Sequence, residues 1–252
     1  MAVPSESARL QARERPVGKN PVMFQKWRDL LFLHWEYDVG AIQRTLPDGL
    51  YVDTFDGKAY LGIVPFFMKD VRPRFTPSVP GISDFQELNF RTYVHDEKGV
   101  PGIWFYSLDA NQWLAVNAAK IFFHLPYFYA TMKAEINEKK AIAYCSYRRG
   151  TPQSLETRFS YRSMSNSRQT RVGTLEFFLI ERYVLFAHAA RQKRLYSGRV
   201  WHVPYPLEDA EVSTWDANVF SLDGFSPPER EPDHIIMSPG VDVDVFGLEL
   251  LD

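Results

Sequence analysis

The stretch Glu87-Leu88-Asn89-Phe90-Arg91-Thr92-Tyr93-Val94 alternates polar and apolar positions with a period of two. On a strand this places Glu87, Asn89, Arg91 and Tyr93 on one face and Leu88, Phe90, Thr92 and Val94 on the other. The flanking sequence is dense in aromatic and β-branched residues, as expected where both faces of a sheet are covered. An acid, an amide and a guanidinium about 7 Å apart along such a strand would line a cavity.

The same pattern-reading predicts the neighbouring elements. A first strand runs over 27–37, and Asp38 is placed to cap a helix over 39–45 that closes at Leu46-Pro47-Asp48-Gly49. Residues 50–55 and 58–67 read as strands joined by an Asp56-Gly57 hairpin turn. Residues 72–80 read as a proline-rich loop. After the turn Asp96-Glu97-Lys98-Gly99, residues 102–108 form the partner strand of 87–94. Trp113, Leu114, Asn117, Ala118 and Ile121 recur at helical spacing within 111–123. Residues 128–136 and 141–148 pair as a hairpin, followed by a strand over 155–164, a short helix over 173–181 and a strand over 183–187. Ser197-Gly198 reads as a second hairpin turn, and 241–251 as an edge strand.

These elements predict an α+β fold, mostly antiparallel, in which a large sheet curls or closes into a barrel with a few short helices. Composition supports that reading: of 252 residues, 45% are hydrophobic and 15% aromatic, enough for a sizeable core. Residues 1–20 are expected to be a disordered tail, because Glu6 and Glu14 interrupt their positive charges and no apolar stretch is present. Residues 21–252 are expected to form a single domain. The formal net charge of −2 and the lack of a long basic run give no footprint for nucleic acid. No apolar run approaches a membrane span, and the chain reads as cytoplasmic. Cys145 is the single cysteine, so neither an intramolecular disulfide nor a cysteine-based zinc site is expected.

The candidate chemistry centres on the polar row. Arg91 is suited to clamp a carboxylate in bidentate fashion, and Glu87 becomes an acid or base if burial raises its pKa. The competing reading is that the two charges neutralise one another inside a polar lumen. Lys139 and Lys140 fall in a turn, and Lys120 is expected to snorkel to solvent. His124, beside Leu125-Pro126-Tyr127, is the best placed of six scattered histidines, none of which has metal-ligand spacing. Arg72 and Arg74, in the proline-rich loop, are candidates to gate or charge a pocket mouth, with a solvated loop as the default reading. No nucleophile elbow or phosphate-cradling glycine loop is present.

Leu31-Phe32-Leu33-His34-Trp35, Val52-Asp53-Thr54-Phe55-Asp56-Gly57, Val64-Pro65-Phe66, the segment from Phe85 to Val94, Gly102-Ile103-Trp104-Phe105-Tyr106-Ser107-Leu108-Asp109-Ala110 and Phe123-His124-Leu125-Pro126-Tyr127 together resemble a bacterial family, the domain of unknown function 2071. The resemblance spans about residues 27–239. That family looks like a branch of the acetoacetate-decarboxylase-like superfamily, which implies a large, mostly antiparallel barrel-like sheet around a buried pocket. By this resemblance Phe85-Gln86-Glu87 matches the acidic strand motif of those enzymes, giving Glu87 a place in the site. Leu125-Pro126-Tyr127 stands where they carry Phe-Pro-Lys, whose lysine forms a Schiff base. Tyrosine cannot form that imine. The resulting expectation is a barrel that binds a small, anionic or carbonyl compound without a cofactor or metal. Glu87 and Tyr127 would serve lyase-like or proton-transfer chemistry, and Arg91, Asn89 and His124 would hold the ligand. A non-catalytic carrier or sensor, and a structural or partner-binding protein, remain the alternatives.

Overall fold

The computed structural model describes residues 3–251. In chain order its elements are α1 (Glu6–Arg13), β1 (Met23–Tyr37), α2 (Val39–Gln43), β2 (Leu50–Val52), β3 (Ala59–Pro73), β4 (Phe85–Asp96), β5 (Pro101–Ala110), α3 (Trp113–Phe123), β6 (Tyr127–Ile136), β7 (Ile142–Arg148), β8 (Thr157–Ser163), α4 (Leu175–Ile180), β9 (Val184–Ala189), β10 (Arg194–Trp201), β11 (Ala210–Trp215), α5 (Asn218–Leu222), β12 (His234–Val245) and β13 (Glu249–Leu250). Among the described residues no helix is long and apolar enough to cross a membrane.

The sheet is mixed and mostly antiparallel, and it curls back on itself. Pairing runs from β5 through β9, β10, β12, β1, β3 and β4, and β4 then pairs with β5 again. The ring is barrel-like rather than a strict barrel because β5 divides. Its Ile103–Trp104 end lies parallel to β9, while its Leu108–Ala110 end lies parallel to β6. From β6 the sheet continues outward through β7, β8 and β11.

This splitting explains why the ring strands carry apolar residues on both faces. On β1, Leu30 and Phe32 point inward with Val64, Phe66 and Leu108. Leu31, Leu33 and Trp35 point outward and pack with Leu88, Phe90, Tyr144, Phe159 and Phe220 beneath the outer sheet. Phe90 and Phe220 have ring centroids 4.6 Å apart. Burying β4 on both sides leaves its polar row no route to bulk water except through the ring interior. Arg148 ties the two layers together, donating to Asp109 at 2.8 Å and to Asp223 at 3.1 Å.

Four local expectations are corrected. The first is the disordered tail: α1 is capped by Ser5, whose hydroxyl accepts from the Ala8 amide at 3.1 Å, and it is docked on the barrel. Arg9 forks onto Asp53 at 2.6 and 2.7 Å, Arg199 donates to the Ala12 carbonyl, and Arg15 lies over the Trp201 ring. An eight-residue helix is marginal alone, so its order comes from tertiary partners that local composition does not reveal.

The second concerns β2. The Asp56-Gly57 turn forms, with Phe55 and Lys58 exchanging both backbone hydrogen bonds. Upstream of it, however, β2 leaves β3 and pairs with β4. Asp53 is thereby turned inward, where it also accepts from Arg182 at 2.8 Å. Third, Ser197-Gly198 is not a turn but the middle of β10, whose hairpin with β9 turns just before Arg194. Glycine is needed there for close packing, since a Cβ on Gly198 would lie 2.9 Å from Leu248 and 3.0 Å from Leu185. Fourth, the C-terminal run is no edge: β12 begins at His234 and fills the gap between β10 and β1.

Asp53 has no exposed side-chain surface and holds two arginines. Asp53→Ala is expected to destabilise the protein by about 3–5 kcal/mol, because it leaves buried cations uncompensated. Arg9→Ala is expected to cost less, since Arg182 still neutralises Asp53. Urea denaturation of the two variants against the parent checks both the magnitude and the order.

Candidate functional site

A cavity of about 700 Å³ occupies the interior of the ring. Glu87, Asn89 and Arg91 all open onto it from β4, as their shared strand face requires. Tyr127 joins them from β6. The short parallel pairing that sets Tyr127 opposite Leu108, with the Leu108 amide donating to the Pro126 carbonyl at 3.1 Å, carries this side chain into the ring.

Tyr127 donates its hydroxyl to Glu87 Oε2 at 2.9 Å, and both side chains are buried. Burial is the main influence on Glu87: with little water to solvate a carboxylate, its pKa rises from 4.5 to about 7, against hydrogen bonds from Tyr127 and Asn89 that favour the ionised form. The same burial, reinforced by the neighbouring carboxylate, keeps Tyr127 protonated well above its ordinary range. At neutral pH the pair therefore consists of a carboxyl group near its midpoint and a fixed phenolic donor. This is the arrangement expected of a proton-transfer couple.

Arg91 is different in kind. It is 7% exposed, yet among the described residues it has no carboxylate within ion-pairing distance. Glu87 is not its partner, and the mutual neutralisation that the sequence left open does not occur. The guanidinium is held by long contacts of 3.4 Å to the Leu179 carbonyl and to the Tyr93 hydroxyl, and it lies 5.5 Å from the Phe32 ring centroid. Its Nε and the Asn89 Oδ1 have no hydrogen-bond partner. Buried polar atoms without partners are rare in native proteins, and among the described residues Asn89, Arg91 and Arg182, all lining this cavity, each carry one.

Behind Arg91 runs a buried hydrogen-bond chain. An arginine can only donate, so the Tyr93 hydroxyl accepts from it and shares a second hydrogen bond with His34 Nε2, 2.7 Å away. His34 Nδ1 in turn meets His234 Nδ1 at 3.1 Å. Burial holds His34 well below its usual pKa and His234 at about 4, so both rings are neutral at neutral pH. The sequence did not disclose this pairing, because 200 residues separate the two histidines. It also did not disclose Arg182, which lines the same cavity.

Not every predicted residue converges here. His124 occupies the left-handed C-cap of α3 (φ 50°), which turns it away from the cavity. It lines a separate groove of about 590 Å³ on the outside, together with Lys120, Tyr106 and His188. Arg72 and Arg74 do not line the cavity: Arg72 lies over Phe24 and near Asp70, Arg74 over Phe75, while their neighbours Val71 and Pro73 reach the mouth. Among the described residues no lysine lines the cavity.

The family model of DUF2071, described as an uncharacterised conserved protein, matches residues 24–242. The uncharacterised protein YqjF of Bacillus subtilis (strain 168) is 40% identical over 211 residues, covering 84% of this chain and 85% of the relative. Among solved structures, the enduracididine biosynthesis enzyme MppR complexed with pyruvate superposes with a TM-score of 0.63 at 14% identity, covering 95% of this chain and 93% of that one. Acetoacetate decarboxylase from Legionella pneumophila gives a TM-score of 0.61 at 10% identity, with 95% and 91% covered. An acetoacetate decarboxylase-like enzyme from Sphingomonas wittichii RW1 gives 0.61 at 13%, with 92% and 94% covered. At these identities the structural likeness establishes the fold, which is acetoacetate-decarboxylase-like.

The raised Glu87 value has a measurable consequence for stability. A carboxyl group whose native pKa lies above its unfolded value keeps its proton in the native state while the unfolded chain has lost it. Stability from Glu87 therefore falls as pH rises from 4.5 to about 7 and is level above that. The full change amounts to about 3 kcal/mol. Glu87→Gln is expected to remove this component, so urea-derived stabilities of parent and variant should diverge across that window and run parallel on either side. Asp109, also pushed up to about 7 by burial, is common to both proteins and cancels in the difference.

Proposed function

The chain belongs to the DUF2071 family, and within its acetoacetate-decarboxylase-like fold we propose that the cavity binds a small carbonyl compound bearing one carboxylate and moves a proton on it. The observation that carries this reading is the convergence of Arg91, buried without a counter-ion, and the Glu87–Tyr127 pair on a single cavity. Arg91 supplies the charge-assisted, two-pronged contact that a carboxylate accepts, and Asn89 offers a further polar contact. Tyr127 turns its hydroxyl from Glu87 to the substrate carbonyl oxygen. Ionised Glu87 then takes a proton from the carbon beside that carbonyl. The C–H bond breaks, its electron pair enters the enolate stabilised by Tyr127, and the proton on Glu87 is available for return to carbon or exchange with solvent. This route needs no imine, consistent with tyrosine at position 127 and a cavity wall without lysine.

The lysine-free wall also favours a second reading, in which the pocket holds such a compound as a carrier or sensor and performs no chemistry. One experiment separates the two. Incubated with 2-oxobutanoate in deuterated water, the protein is expected to accelerate loss of the C3 proton signal in proton NMR, and Glu87→Gln should slow that exchange by about 10²–10⁴-fold. Arg91→Met should weaken 2-oxobutanoate binding by about 10- to 100-fold, the worth of hydrogen bonds to a charged group, measured by titration calorimetry. Binding without exchange assigns the protein to the carrier reading. Unchanged binding by Arg91→Met overturns both.

A further inference from the structure

The cavity is far larger and more apolar than its polar wall needs. Glu87, Asn89 and Arg91 share one face of β4, and Tyr127 meets Glu87 from β6. The remaining surface is built from β1 and β3 residues such as Leu30, Val64 and Phe66, from Val184 and Val200 on β9 and β10, and from one face of α3. Ala115, Ala118, Ala119 and Phe122 of that face recur at i, i+3, i+4 and i+7, with the half-buried Ala115 and Ala119 toward the ring and the exposed Ala118 and Phe122 at the cavity opening. The alanines leave room where larger residues would narrow the cavity. Pyruvate-sized acids would occupy only the polar end. Water filling the rest would find few of the two to four polar partners an ordered water needs.

Charge limits the ligand further. Arg182 also reaches the cavity, but it is already ion-paired with Asp53 at 2.8 Å. Asp53 shares its one charge with Arg9, whereas Arg91 is the cation on the wall with no carboxylate within ion-pairing distance among the described residues, so it marks the place for a single carboxylate of the ligand.

Building on the reading of Arg91 as an anion clamp, we propose that the ligand is an amphipathic monocarboxylate: a carboxylate or 2-oxo-acid head at Arg91 and Asn89, with an unbranched or aryl chain of several carbons lying along the alanine face of α3. Glu87 reinforces the selection. While protonated it leaves the Arg91 charge unopposed, and once ionised it offsets that charge, so anion affinity should decline as pH rises through about 7.

The test is a calorimetric series of 2-oxo acids of four, six and eight carbons, with octan-1-ol and octylamine as head-group controls. Each added methylene is expected to tighten binding by about three- to fourfold, placing the eight-carbon acid about 80- to 250-fold ahead of the four-carbon acid, with both controls weak. Ala119→Phe and, independently, Ala115→Leu should erase most of that chain-length gain while leaving the four-carbon acid nearly unaffected; circular dichroism verifies that each variant is folded. Equal affinities across the series, or tightest binding of the four-carbon acid, overturn the amphipathic assignment and leave the anion clamp standing. If octylamine binds as well as the acids, or Arg91→Met leaves four-carbon binding unchanged, the clamp itself fails. Absence of binding at every chain length overturns both.

Discussion

A guanidinium enclosed by protein without a carboxylate beside it is expensive to maintain, since burial removes water from the charge and nothing equivalent replaces it. Arg91 is in that position, and much of the ring is arranged so that it can be. Phe32 offers a π face, Leu179 a carbonyl and Tyr93 a hydroxyl, with the His34–His234 pair hydrogen-bonded behind that hydroxyl. Two other buried clusters are treated differently. Asp53 is held by Arg9 and Arg182, and Arg148 by Asp109 and Asp223. The contrast sets Arg91 apart among the buried arginines: those two clusters supply carboxylates, and the cavity wall supplies none to Arg91.

The acid opposite is tuned by the same enclosure in the other direction. Because Arg91 does not pair with Glu87, its field does not pull the carboxyl pKa down, and desolvation dominates. Two groups on one strand face, four residues apart, thus keep separate identities: one a permanent cation, the other a proton store near neutrality. A salt bridge between them would have stabilised the empty ring and removed both capacities. The separation of roles follows from strand geometry, which spaces the Cα atoms of i and i+4 at about 13 Å while both side chains reach the same cavity.

What could be read from the sequence follows the range of the interactions involved. The alternating row on β4, the Asp38-capped α2, the apolar spacing of α3 and the β6–β7 hairpin are local patterns, and all four appear in the fold. So does the barrel-like closure, which many short β-rich segments and a family resemblance together implied. The docking of α1 was hidden because its anchor, Asp53, lies 44 residues from Arg9. The insertion of β12 between β10 and β1, and the meeting of His34 with His234, join the two ends of the chain. Gly198 misled for another reason: glycine marks both turns and tight packing, and only the Leu185 and Leu248 side chains against it distinguish the two. In the site, Glu87, Asn89, Arg91 and Tyr127 share one cavity. His124 does not, because a left-handed cap reverses the chain at the one residue where helical spacing no longer predicts direction.

The clamp of Arg9 on Asp53 bears on where the working unit starts. The family match begins at residue 24, which invites trimming the chain there. Such a cut would remove one of the two cations balancing Asp53, leaving Arg182 to serve that carboxylate alone. Arg182 stands on the cavity wall, so the loss would be felt electrically inside the pocket, not merely as a frayed end. The segment outside the family boundary is therefore part of the cavity's charge balance, and the shortest chain that resembles the family is not the shortest chain that preserves its electrostatics.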